Sequence, residues 1–136
     1  MNSPIKNINV GVQAAILVVD DHADVRFLVQ ASLLKFYPEI PVRVVSSGMM
    51  AAVELAKGGI KLVISDVRMS DGDGIWLHYF VQEYYEGMPI VFFTSSPEDV
   101  QKLASEPLRT VIGKNDIRGL MEKVGRLWNG EEKSEP

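Results

Sequence analysis

Five polar residues with the chemistry of a phosphate site each follow a short apolar run of this sequence. They are Asp20, Asp21, Asp66, Thr94 and Lys114. Three carboxylates that lie close together repel one another unless a cation neutralises them. Oxygen ligands without a cysteine or a histidine cluster suit Mg²⁺, which keeps several waters and leaves room for a phosphate. Lys114 adds a positive charge and Thr94 a hydroxyl donor, so the set predicts a binding site for phosphoryl oxygens.

Asp66 is the best candidate among these residues for covalent phosphoryl transfer. A carboxylate is an established nucleophile in such reactions, and a metal ion with a lysine would neutralise the charge of the transferring group. Asp66 closes the run that we expect to be the central strand, and the glycine-containing loop 67–74 follows it. Asp20 and Asp21 form a pair that we interpret as metal ligands.

Strands and helices must alternate to bring these residues together. Short runs rich in Val and Ile predict strands that are buried on both faces, at 14–19, 42–45, 62–64, 90–93 and 110–112. Apolar residues at steps of three and four predict helices near 25–36, 49–56, 75–85 and 117–128, and a short polar one near 97–104. This alternation predicts a three-layer α/β fold with a parallel sheet. Such sheets bind ligands beyond the carboxyl ends of their strands, where the five polar residues lie.

Four segments in this order resemble the receiver domain of two-component response regulators. They are ILVVDD at 16–21, LVISDVRMSDGDG at 62–74, VFFTSS at 91–96 and IGK at 112–114. Asp66 lies 46 residues after Asp20, Thr94 lies 28 residues after Asp66, and Lys114 lies 20 residues after Thr94. The resemblance covers about 14–128 and implies a flavodoxin-like fold with five parallel strands in the order 2-1-3-4-5.

The resemblance implies a phosphoacceptor and a magnesium site at the strand ends. Asp66 resembles the phosphoacceptor and would also contribute to the metal site. Asp21 resembles a direct Mg²⁺ ligand, and Asp20 a ligand that acts largely through water. The backbone carbonyl of Arg68 would be the other protein ligand.

Further residues would bind the phosphoryl group or transmit its presence. Thr94 resembles the hydroxyl that moves toward the phosphate, and Lys114 the lysine that pairs with it. We expect the Arg68 side chain to lie over the phosphoryl group and slow its hydrolysis, and we do not expect Ser96 to act as a base. Val111 stands where the family often has a switching Tyr or Phe, and its β-branched side chain is stiff. Transmission is therefore expected to pass through Thr94 and the loop after it to the short fourth helix.

The function implied by the resemblance is signalling rather than enzymatic turnover. A sensor histidine kinase or a histidine phosphotransfer protein would supply the phosphoryl group, and a downstream protein partner would recognise the altered conformation. A net charge of -4 does not favour direct binding to nucleic acid. No apolar run approaches the roughly 18–20 residues of a membrane span. The absence of cysteine and of a secretory signal favours the cytoplasm.

Several alternatives accompany this interpretation. The main one is a scaffold or adaptor that keeps the acidic site without using it. A haloacid-dehalogenase-like phosphatase needs a second Asp where Arg68 stands, and the stretch 71–74 resembles a calcium loop only at its start, so a turn is expected there. His22 and His78 are expected at the surface or as caps, and the aromatic residues of 76–85 mainly in the core.

The length of 136 residues suits one domain. We expect residues 1–136 to form one receiver domain with its core at about 14–128. The polar ends, 1–11 and 129–136, are expected to be loose.

Overall fold

Five parallel strands alternate with five helical segments in residues 13–131, the part of the chain that this computed structural model describes. The strands are β1 (Ala15–Val19), β2 (Val42–Val45), β3 (Ile60–Ser65), β4 (Ile90–Thr94) and β5 (Arg109–Gly113). The α-helices are α1 (Ala23–Phe36), α2 (Gly48–Lys57), α3 (Gly74–Tyr84) and α4 (Ile117–Trp128), and a 3₁₀ segment spans Pro97–Ser105. The two ends that we expect to be loose lie mostly outside the described residues, at 1–11 and 132–136.

The strands lie in the order β2-β1-β3-β4-β5, and the predicted topology is confirmed. Val19 at the end of β1 lies opposite both Val45 and Ser65, and Ser65 lies opposite Phe92. The carboxyl ends of β1, β2 and β3 are therefore level at one edge of the sheet. β3 is the central strand, as the sequence predicts.

Two apolar layers cover the sheet because successive residues of a strand point to opposite faces. Leu17 and Val63 belong to the core layer beneath α2 and α3. Ile16 and Ile64 belong to the layer beneath α1 and α4. The architecture is thus the predicted three-layer α/β fold. Within the described residues, no helix has both the length and the apolar character needed to cross a membrane.

The fourth helical segment differs from the α-helix predicted near 97–104. It is a 3₁₀ segment that begins with Pro97 and has a non-helical backbone at Val100 (φ -126°, ψ 17°). Val100 is its only buried residue. The segment is polar and offers the sheet little apolar surface, and the stability of protein helices comes mostly from packing such a surface.

Two expectations for residues 76–85 are corrected by the structure. Trp76, Tyr79 and Tyr84 are exposed, and only Phe80 and Tyr85 pack against the core. His78 is fully buried rather than at the surface, and its Nδ1 accepts a hydrogen bond of 2.8 Å from Nε of Arg109. Burial, and then the charge of Arg109, lower the pKa of His78 below its ordinary value.

Candidate functional site

Backbone hydrogen bonds place the predicted site residues at one edge of the sheet. The N–H of Asp20 donates to the carbonyl of Val45 at 3.2 Å, and the N–H of Asp66 donates to that of Val19 at 2.9 Å. The N–H of Lys114 donates in the same way to the carbonyl of Thr94 at 2.9 Å. Each bond continues the pairing of the strands by one residue, so the side chains that follow the strands meet in one place.

The Asp66 carboxylate is buried, and each of its oxygens has a hydrogen-bond donor. The backbone N–H of Val67 donates to Oδ1 at 2.7 Å, and Nζ of Lys114 donates to Oδ2 at 2.8 Å. The Asp66 residue is only 5% exposed. The carboxylate is therefore held in one orientation at the end of the central strand.

Lys114 joins two of the three acidic side chains. Its Nζ lies 2.9 Å from Oδ2 of Asp20, in addition to its contact with Asp66. Burial by itself would lower the pKa of Lys114, but the hydrogen bonds to Asp66 and Asp20 outweigh this effect and raise the pKa above its ordinary value. The lysine is therefore a fixed positive charge at neutral pH.

Asp20, Asp21, His22 and Asp66 form a group that could hold a metal ion. Each offers one ligand atom, and these atoms all lie within 4.8 Å of one another. Three carboxylates and one lysine leave two negative charges, which match a divalent cation. The oxygen donors are those that Mg²⁺ prefers, so the residues present fit this ion. His22, which we expect from the sequence at the surface or as a cap, is exposed and joins this group.

Thr94 lies at the same edge but faces its own loop. It is buried at the end of β4, and its Oγ1 accepts a hydrogen bond of 3.0 Å from the backbone N–H of Ser96. The hydroxyl proton remains available for an acceptor. A cleft of about 470 Å³ is lined by Thr94, Ser95, Pro97, Gly113, Lys114 and Asn115. The space beside Lys114 is thus open toward the 3₁₀ segment.

The Arg68 side chain, which we expect to lie over the phosphoryl group, pairs with Asp99 in the structure, and its role beside a phosphoryl group stays a prediction. Its Nε donates to Oδ2 of Asp99 at 2.7 Å, and its terminal nitrogen also pairs with Asp99. Asp99 belongs to the 3₁₀ segment. The loop after Asp66 is thereby connected to the 3₁₀ segment by an exposed ion pair.

Close backbone packing fixes the rest of the loop after Asp66. The N–H of Gly48 donates to the carbonyl of Gly72 at 2.7 Å, and a Cβ on Gly74 would collide with the carbonyl oxygen of Asp66. The Asp73 side chain accepts a hydrogen bond of 2.9 Å from the N–H of Trp76 and caps α3. Residues 71 and 72 form a bend, and α3 begins at Gly74 directly after its cap Asp73.

Val111 lies apart from the strand edge that carries the acidic group. It is half-buried within β5, opposite Phe92 of β4, and it packs against the core layer beneath α2 and α3. Its part in transmission stays a prediction.

Comparison with known proteins gives a family and a set of structural relatives. The model of the response regulator receiver domain matches residues 16–124. A comparison with curated proteins found no match.

Three similar solved structures have nearly the same fold. The response regulator TrrA of Thermotoga maritima, in complex with Mg²⁺-BeF, is 24% identical with a TM-score of 0.71, and the match covers 85% of this chain and 99% of that one. A CheY-like receiver domain protein of Methanospirillum hungatei is 21% identical with a TM-score of 0.73, at coverages of 88% and 97%. A structure of the histidine kinase ThkA in complex with TrrA matches at 24% identity and a TM-score of 0.72, over 85% and 98% of the chains. At these identities the likeness shows the fold.

Proposed function

The chain belongs to the response regulator receiver domain family, and on this premise we propose that it accepts a phosphoryl group on Asp66 from a phosphohistidine of a partner protein. The observation that carries the proposal is the buried Asp66 carboxylate, which is oriented by Val67 and Lys114 beside the acid pair. Receiver domains are signalling domains, so the phosphorylated form would be a signal rather than a step in turnover.

In the proposed transfer, a carboxylate oxygen of Asp66 attacks the phosphorus atom of the donor. A P–O bond forms as the P–N bond to the donor imidazole breaks, and the imidazole nitrogen keeps the electron pair. Because the other ring nitrogen of the donor carries a proton, the departing imidazole is neutral. The product on this chain is an acyl phosphate, which water later hydrolyses.

The other residues of the site would offset the charge of the phosphoryl group. Lys114 is already within hydrogen-bond distance of Asp66 and would donate to a phosphoryl oxygen. Thr94 would donate its hydroxyl proton to another, since charge-assisted hydrogen bonds are the strong ones. Asp20, Asp21, Asp66 and the carbonyl of Arg68 would hold Mg²⁺, which when bound supplies positive charge to the phosphoryl oxygens.

The signal would leave the site through Thr94 and the 3₁₀ segment. The Oγ1 of Thr94 accepts a hydrogen bond from the N–H of Ser96, the residue that directly precedes this segment. A Thr94 that turns toward a phosphoryl group would release that contact and shift the population of conformations that a downstream protein recognises. The complex of the neighbour TrrA with the histidine kinase ThkA supports a kinase as the donor.

Phosphorylation by a small donor tests the assignment of Asp66. Wild-type protein incubated with acetyl phosphate and Mg²⁺ should gain one phosphoryl group by intact mass spectrometry, and a chelator should prevent the gain. Asp66→Asn should not be labelled, whereas the matched control Asp71→Asn, in the same loop, should react like the wild type. Labelling of the Asp66→Asn protein would contradict the proposal.

A second measurement separates this function from that of a phosphorylation-independent scaffold. Beryllofluoride with Mg²⁺ should shift the amide resonances around Asp66 and of residues 95–106. A scaffold with an unused acidic site would show no response and no labelling.

A further inference from the structure

His22 directs an imidazole nitrogen toward the acid pair. Its Nδ1 lies 3.2 Å from Oδ1 of Asp20 and 3.1 Å from Oδ1 of Asp21. His22 is the residue that precedes α1, but its side chain makes no capping hydrogen bond to that helix. The ring therefore faces back to the carboxylates rather than forward to the free N–H groups of the helix.

These separations match those of neighbouring ligands on one metal ion. Two ligand atoms about 2.1 Å from an octahedral ion, at right angles to each other, lie about 3.0 Å apart, and the tetrahedral value is about 3.4 Å. The observed 3.1 Å and 3.2 Å lie between these values. An ion bound to Asp20 and Asp21 is therefore within reach of Nδ1 of His22 without rearrangement of the backbone.

The chemistry of this nitrogen distinguishes between classes of metal ions. Mg²⁺ is a hard cation that prefers oxygen ligands, whereas imidazole nitrogen suits Zn²⁺ and other divalent ions of the first transition row. We propose that His22 is a metal ligand for Zn²⁺ and related transition ions, so that the acidic site has a second, nitrogen-containing mode of binding besides its oxygen-only mode for Mg²⁺. The inference rests on the proposed role of Asp20 and Asp21 as metal ligands.

The competing explanation is that His22 only holds Asp20 in position. The backbone N–H of His22 donates to Oδ1 of Asp20 at 2.9 Å, and this contact does not depend on the imidazole. A glutamine at position 22 keeps the backbone contact and a side-chain hydrogen-bond donor but has no imidazole nitrogen. The His22→Gln variant therefore separates metal ligation from positioning.

The test compares two metal ions on the full chain by isothermal titration calorimetry. We expect His22→Gln to weaken Zn²⁺ binding at least tenfold and to change the dissociation constant of Mg²⁺ by less than twofold. Equal weakening for both ions would show that His22 acts only through Asp20 and would overturn the inference. Unchanged Zn²⁺ binding would overturn it as well.

A spectroscopic measurement identifies the ligand directly. The sequence has two histidines, so ¹⁵N-histidine labelling gives resonances from two imidazole side chains. On addition of Zn²⁺, the Nδ1 resonance of His22 should move strongly. His78, buried with its Nδ1 bonded to Arg109, should stay in place as the internal control. A shift of neither imidazole on saturation with Zn²⁺ would overturn the inference.

Failure of the proposed function has a different signature. In that case acetyl phosphate would not label Asp66 and Mg²⁺ would not bind the wild-type protein. Zn²⁺ binding that still depends on His22 would then leave the ligand assignment standing. If Mg²⁺ binds and Asp66 is labelled, but Zn²⁺ binding does not depend on His22, only the inference about His22 fails.

Discussion

The substitution Lys114→Met should destabilise the protein when Mg²⁺ is absent. Nζ of Lys114 lies 2.9 Å from Asp20 and 2.8 Å from Asp66, and the lysine side chain is only 17% exposed. At an effective dielectric constant of about 20, each contact contributes a Coulomb attraction of about 6 kcal/mol before the cost of desolvation. The substitution removes both contacts and leaves two buried carboxylates without a counter-charge.

The net loss is smaller than the Coulomb sum because the lysine regains its hydration in the unfolded chain. Removal of one partner of a buried ion pair costs about 3–5 kcal/mol. Since water reaches part of this site, we expect the free energy of unfolding to fall by about 2–4 kcal/mol. Urea unfolding at neutral pH, with a chelator present, measures this quantity. Lys102→Met, at an exposed position of the 3₁₀ segment, is the matched control and should change it by less than about 0.5 kcal/mol.

Added Mg²⁺ should restore part of the lost stability. An ion present at ten times its dissociation constant stabilises the folded state by about 1.4 kcal/mol. The gain at a fixed Mg²⁺ concentration should be larger in Lys114→Met than in the wild type, because three negative charges attract the ion more strongly than two. If the variant without Mg²⁺ is as stable as the wild type, Lys114 does not neutralise the carboxylates and the reasoning is refuted.

Three further changes test other contacts of the structure. Gly74→Ala should lower the free energy of unfolding by about 1–3 kcal/mol and slow acetyl phosphate labelling, because its Cβ meets the backbone of the phosphoacceptor. In the control Gly119→Ala, the added Cβ meets only a capping side chain. Equal losses of stability and of labelling rate in the two variants would contradict the argument. Burial lowers the pKa of His78 below 6.5. As the pH falls, His78 is therefore protonated in the unfolded chain before it is protonated in the folded protein. Stability should be complete above pH 6.5 and fall below it, and His78→Gln should flatten that slope in urea unfolding at several pH values; an unchanged slope would count against it. Asp99→Asn frees Arg68 and should lengthen the lifetime of the acyl phosphate, whereas Arg68→Ala should shorten it; unchanged decay in both variants would remove Arg68 from the mechanism.

Much of the fold follows from local patterns in the sequence. Short runs such as 14–19 and 90–93 have no room for a helix, and their Val and Ile residues suit a sheet buried on both faces. The helical spacing within 117–128 likewise predicts α4. Because parallel strands bring their carboxyl ends to one edge, the positions of Asp66 and Lys114 in the sequence already indicate a shared site.

The partners within the site depended on the tertiary structure. Lys114 contacts Asp20 as well as Asp66, and Arg68 pairs with Asp99. Such choices depend on the rotamers of long side chains and on the exact separation of segments that are distant in sequence. Local periodicity carries no information about either.

The same limit explains the errors made from the sequence. A lone His78 within a helix gave no sign of its bond to Arg109, which begins a strand 31 residues later. The polar residues of Pro97–Ser105 indicate a helix with little apolar surface, but only packing against the sheet decided that it is a 3₁₀ segment interrupted at Val100. Which residue types reach the strand edge follows from alternation and periodicity, because these are local properties of the chain. Which of them touch depends on the packing of the layers, because contacts between residues distant in sequence form only then.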